Sequence, residues 1–234
     1  TARPRVGQTR IRQVSRSGRS LSGARLAVAR TWMLEDMEPT VAAAFEASLR
    51  VLRQAGARIE ELELGEIAEL AGINAGGGFS AAESHAWHRK LLAEQGQRYD
   101  PRVAQRIQRG AQMSAADYLD LVAARKAWIA RMQERLVTFD AVLSPTVPML
   151  APPISALADD DKAFFAANAL LLRNTSVVNM LDGCALSLPC HEPGTLPVGL
   201  MLWHGAMHHD ELLQLALQVE AALQAAGLAS AAQH

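Results

Sequence analysis

The first readable segment of this chain leaves little freedom in how it folds. Gly23-Ala-Arg-Leu-Ala-Val-Ala-Arg30 is a short apolar run of the kind that forms a buried strand. Pro39 then stands where a first helical turn tolerates it, and Val41, Phe45, Leu49 and Leu52 recur on one helical face. Gly56 closes that helix, and Arg58-Ile-Glu-Glu-Leu-Glu-Leu64 alternates like a second strand. Two strands flanking a helix in so short a span form a βαβ unit, which requires parallel pairing and a right-handed crossover.

The rest of the chain extends that unit. After Asn74-Ala-Gly-Gly-Gly-Phe-Ser80, residues 79–95 run without a helix breaker, and residues 100–110 read as a shorter helix closed by Gly110. Ser114 and Asp117 make a variant capping box ahead of Tyr118, Leu121, Val122, Trp128, Ile129, Met132 and Leu136 on one helical face. Phe139-Asp-Ala-Val-Leu-Ser144 is a buried strand that the prolines at 145, 148, 152 and 153 should stop by Ser144. A helix over 161–181, strands in Cys184–Cys190 and Val198–His204, and a last helix over 209–226 complete the pattern. The fold class is therefore α/β, a mixed sheet of about five strands covered by helices.

Composition sets the boundaries. Half of the 234 residues are apolar, enough to bury a substantial core, and no run is long enough to span a bilayer. Two cysteines, Cys184 and Cys190, point to buried thiols in a reducing cytoplasmic compartment rather than to a disulfide framework. Residues 1–30 hold eight of the 23 basic side chains and none of the 24 acidic ones. The remainder thus carries fifteen basic against 24 acidic groups, a balance that argues against nucleic-acid binding by the fold. Residues 1–20 read as an Arg/Ser-rich flexible arm, with an RNA-binding tail and an organellar transit peptide as alternatives. Residues 21–228 read as a single α/β domain and 229–234 as a disordered tail.

From residue 21 onward the chain resembles the C-terminal half of enzymes of the amidase-signature family. Phe139-Asp-Ala-Val-Leu-Ser-Pro-Thr-Val-Pro148 is similar to that family's Asp-x-x-x-x-Pro-Thr-x-Pro motif, matched by Asp140, Pro145, Thr146 and Pro148. Val177-Val-Asn-Met-Leu-Asp-Gly-Cys184, Ser187-Leu-Pro189 and Pro197-Val-Gly199 resemble its closing strands, with Asn179, Ser187, Pro189, Pro197 and Gly199 in the expected places. One stretch departs: Asp182 and Cys184 stand where the family pattern Asn-x-x-Gly-x-Pro has glycine and proline. The resemblance implies hydrolysis of a carboxamide to a carboxylate and ammonia, without cofactor or metal. It implies substrate contacts at Thr146 and in the loop of Asn179, Asp182, Gly183 and Cys184.

The resemblance implies a nucleophilic serine and a bridging serine in a Gly/Ser-rich segment, with the lysine base further upstream; these residues contain nothing like that segment, so no catalytic residue is assigned. A serine needs a base to take its proton and amide groups to hold the oxyanion. The segment 74–80 mimics such a loop, but Ser80 and Lys90 lie on one helix about 15 Å apart along its axis. It reads as a joint. Cys190-His191 would diverge on a strand, and His204, His208 and His209 with Asp210 and Glu211, like His85 and His88, read as solvated polar faces rather than metal ligands. The expectation is the C-terminal portion of an amidase, inactive alone and open to a small-molecule amide once a companion N-terminal half or second copy completes it. A non-catalytic remnant or binding subunit, and an amidotransferase A-subunit, are the alternatives.

Overall fold

The computed structural model describes residues 21–228, so the expectations for the arm at 1–20 and the tail at 229–234 lie outside the described residues. The βαβ unit forms as its pattern requires. β1 (Arg25–Ala29) and β2 (Arg58–Leu62) pair in parallel, joined by α1 (Pro39–Gln54) with Pro39 in its first turn. Two helical segments follow, α2 (Glu69–Ile73) and α3 (Gly78–Gln95), then α4 (Pro101–Gln108) and α5 (Ala115–Leu136). Asp100 caps α4, accepting from the Arg102 and Val103 amides, and Ser114 with Asp117 forms the capping box of α5. β3 (Ala141–Pro145), α6 (Asp161–Leu181), β4 (Cys184–Pro189), β5 (Gly199–His204) and α7 (His209–Ala225) complete the described chain.

The sheet order is β2-β1-β3-β5-β4. β3 runs parallel to β1 and antiparallel to β5, and β5 runs antiparallel to β4, so the sheet is mixed. β3 is buried throughout, as a central strand with helices on both faces must be. Alternation along the strands sorts two cores. Leu26, Val28, Leu143, Leu200 and Leu202 meet Phe45 and Leu49 of α1 and Leu215 and Val219 of α7. Ala27, Ala29, Val142, Met201 and Trp203 meet Trp128 and Met132 of α5 and Val177 and Leu181 of α6.

Two details depart from the pattern expected of the sequence. β3 continues one residue beyond Ser144, because Pro145 ends the strand and can still offer a carbonyl there although it has no N–H to donate. The short helix α2 has no clear signal in the sequence and fills the space before the glycines. The motif aspartate serves the fold. Asp140 Oδ2 accepts from the Arg25 N–H at 2.8 Å, and its own N–H donates to the Arg25 carbonyl at 2.7 Å. It thereby sets the register of β3 beside β1.

The C-terminal ends of β1 and β3 are fixed from α6. Buried Asn174 donates through Nδ2 to the carbonyls of Met33 at 3.0 Å and Pro145 at 2.8 Å, and its Oδ1 accepts from Arg173 Nε. The proline-rich loop is held in turn by Glu38, whose N–H donates to Pro148 O and whose carboxylate accepts from the Leu150 N–H. Replacing Asn174 with Leu removes the donor to the Pro145 carbonyl and leaves the Met33 carbonyl to Arg173 alone. We expect Asn174→Leu to lower unfolding stability by about 2–4 kcal/mol, measured by urea denaturation, and an unchanged midpoint would contradict this role.

Candidate functional site

A cleft of about 900 Å³ opens on the α5–α6 side of the sheet, between α2, the start of α3, α5 and α6. Its apolar lining comes from Trp32, Leu70, Phe79, Val122, Ile129 and Met180. The long apolar stripe on α5 therefore divides. Leu121, Trp128, Met132 and Leu136 are buried, whereas Tyr118, Val122 and Ile129 line the open cleft. Trp128 anchors the helix by donating from Nε1 to the Glu66 carbonyl at 2.6 Å.

The glycine run is the joint expected from the sequence. Gly77 and Gly78 both have positive φ, 103° and 64°, and a Cβ on Gly78 would come within 2.4 Å of Asn74 Oδ1. The bend also makes this segment a wall of the cleft, which its reading as a bare joint missed. Ser80 lines the same cleft as Lys126 and Ser176, yet no hydrogen bond joins Ser80 or Ser176 to that lysine; Ser176 donates to Leu172 O instead. The polar side of the cleft is organised by pairs. Tyr118 donates to Glu83 at 3.3 Å and meets Phe79 edge-on, with ring centroids 5.7 Å apart. Arg125 donates to the carbonyls of Met180 at 2.9 Å and Asn179 at 3.0 Å, lies 3.6 Å from Asp182, and covers the Phe79 ring.

The five residues named from the sequence fall into four places. Asn179 is exposed and lines the cleft. Asp182 and Gly183 end α6: Asp182 is left-handed at φ 57°, and the Gly183 N–H returns to Val178 O at 3.0 Å. A Cβ on Gly183 would lie 2.4 Å from the His204 carbonyl. Cys184 opens β4, its thiol buried and directed at Gly205 O. Thr146 stands apart from the cleft, beyond the end of β3, where its hydroxyl meets Ser187 Oγ at 2.5 Å. A Cβ on Gly199 would collide with both of these oxygens. Sequence reasoning missed Lys126, Arg125 and the aromatic wall of Trp32, Phe79 and Tyr118, which three separate segments bring together.

Both thiols are free and buried, and burial pushes Cys184 up and Cys190 up to about 11. Neither is a thiolate nucleophile at neutral pH. Of the histidines expected on a solvated face, His208 and His209 are exposed, whereas His204 is buried at the end of β5. Its Nδ1 accepts from the Gly205 N–H at 2.8 Å, which puts the proton on Nε2, facing Phe139 O at 3.3 Å. Burial, and next the neighbouring His208, hold its pKa below the ordinary histidine value, with the Phe139 and Leu136 carbonyls and Asp140 opposing. Among the described residues no group of three or more His, Cys, Asp or Glu is arranged to hold a metal.

An open, partly apolar cleft between helices on one face of an α/β sheet is the kind of place where a small molecule binds. A family model described as Amidase matches residues 4–213, and the chain belongs to that family. The chain is 31% identical over 202 residues to a 2-amino-5-chloromuconic acid deaminase of Comamonas testosteroni, covering 86% of this chain and 44% of that protein. It is 25% identical over 219 residues to the A-subunit of a glutamyl-tRNA(Gln) amidotransferase from Roseiflexus sp. strain RS-1, covering 83% and 44%. Among solved structures, a Kluyveromyces lactis allophanate hydrolase shares the fold with a TM-score of 0.74 at 22% identity, over 88% of this chain and 32% of that one. The chain thus spans less than half the length of these relatives.

His204 gives the site a pH signature in stability. Folded His204 resists protonation and the unfolded residue takes a proton near pH 6.5, so the unfolded chain binds more protons below that pH. Stability should be fully present above about pH 6.5 and fall as pH drops below it. Urea midpoints measured between pH 8 and pH 5 should show this decline, and His204→Gln should flatten it. An equal slope in both proteins would remove His204 as its source.

Proposed function

We propose that these residues form the substrate-side portion of an amidase-family hydrolase that converts a carboxamide and water to a carboxylate and ammonia. The serine nucleophile and lysine base would lie outside them. The observation that carries this reading is the open cleft itself: it has apolar walls and unpaired polar groups, but no serine within hydrogen-bonding contact of its lysine. In the proposed enzyme the cleft and Asn179 face the acyl body of a small-molecule amide. The α6–β4 turn of Asp182, Gly183 and Cys184 acts from beyond the cleft lining, through the pairing of Asp182 with Arg125, and the Thr146–Ser187 hydroxyl pair offers a second polar contact. A companion N-terminal portion or a second copy of the chain would close the open side. Two free buried thiols support a reducing, cytoplasmic setting. No described helix is long and apolar enough to cross a membrane.

The amidotransferase reading has support in relatives of that name. The higher identity to a deaminase of a small organic acid favours a free small molecule as substrate. Neither reading requires a cofactor or metal.

The 234-residue chain alone should release no ammonia from simple aliphatic or aromatic amides above the buffer rate in a coupled ammonia assay, and Ser80→Ala should change nothing. Turnover abolished by Ser80→Ala would place the nucleophile in the glycine joint and overturn the proposal.

A further inference from the structure

α5 presents two adjacent cations to the cleft, and the structure treats them differently. Arg125 is fully engaged. Its donors go to the last carbonyls of α6, its charge faces Asp182, and its plane covers Phe79. Both the negative end of the helix dipole and a carboxylate already answer it. Glu83, the acid lining the same cleft, accepts from Tyr118. Lys126 lines the cleft one turn from Val122 and close to Ile129, and its ammonium makes no hydrogen bond or ion pair with any described residue. Asn179 and Ser80 are likewise exposed, and their side chains make no hydrogen bond to a described residue.

We propose that Lys126 is the anion-recognising group of this cleft, and that the cleft takes an amide that also carries a free carboxylate on a flat, unsaturated or aromatic body. This rests on the reading of the cleft as the amide-binding wall. An ammonium offers three donors and a full charge beside the apolar surface of Val122 and Ile129, where a carboxylate is less hydrated than in open water. The edges of Trp32, Phe79 and Tyr118 suit a planar body, Asp182 is paired with Arg125, and Glu83, the carboxylate of the cleft lining, accepts from Tyr118 and makes no ion pair with Lys126. Lys126 is thereby a specificity determinant and not a catalytic base: no serine of the cleft is hydrogen-bonded to it.

The test is an NMR titration of the 234-residue chain with 4-carbamoylbenzoate and with benzamide, following the amide signals of cleft residues. 4-Carbamoylbenzoate should bind about tenfold more tightly than benzamide, and about 1 M NaCl should shrink that advantage. Lys126→Gln should erase the advantage, and Lys126→Arg should retain most of it. Lys126 is exposed, so both variants should give the wild-type spectrum away from the cleft. Equal binding of the two ligands in all three proteins would overturn the carboxylate inference and leave the amide-binding reading standing. Failure of both ligands to shift cleft signals would overturn the two together.

Discussion

A single buried amide holds the functional side of this molecule in place. Asn174 is fully enclosed on α6 and donates to two carbonyls, Met33 after β1 and Pro145 at the end of β3. Those two points are where parallel neighbours finish, and in an α/β sheet the strand ends are where ligands are met. Arg173 extends the same contact, reaching Met33 O and Glu35 O while its guanidinium faces the Trp32 ring. A buried guanidinium is costly, and burial pushes its pKa down, opposed by the charges of Asp36 and Glu35. Together the two side chains fix the segment that carries Trp32 into the cleft. Without them, the loop after β1 would have no reason to stop at that angle.

The sheet and helices were largely legible because their signals are local. The span 161–181 forms α6 with the bounds read from the sequence, and Ser114 with Asp117 forms the capping box expected of α5. β1 and β2 pair as a βαβ pattern must. Pro145 shows the limit of a composition rule: lacking an N–H excludes a residue from the middle of a ladder, not from its final position. His204 shows another. A histidine among other polar residues reads as solvated, but β5 carries it under Phe139 and into contact with Gly205.

The cleft was not legible, since no short segment contains it. Its clearest trace is the apolar stripe on α5, which has more members than one core contact needs. Seven positions share that face, yet Leu121, Trp128, Met132 and Leu136 suffice for the core. The surplus, Tyr118, Val122 and Ile129, is what the cleft uses. The glycine run misleads in the opposite direction, because it looks like an oxyanion loop and acts as a bend. A side chain at Gly78 would strike Asn74, so glycine is required there by geometry before any chemistry is invoked.

The departure from the family-like pattern at Asp182 acquires a physical meaning in this setting. The position is left-handed, where glycine costs least and aspartate is among the better-tolerated alternatives. An aspartate there accepts some backbone strain, but it brings a carboxylate to within 3.6 Å of Arg125, which a glycine cannot do. The exposed ion pair adds little stability on its own. Its consequence is electrostatic: the charge of the arginine that caps α6 is answered where it stands, while Lys126 and Glu83 are the charged groups of the cleft lining without an ion pair to a described residue. A change outside the cleft lining thus sets which cation a ligand meets, so the charge preference of this cleft depends on the turn after α6 as much as on the residues that line it.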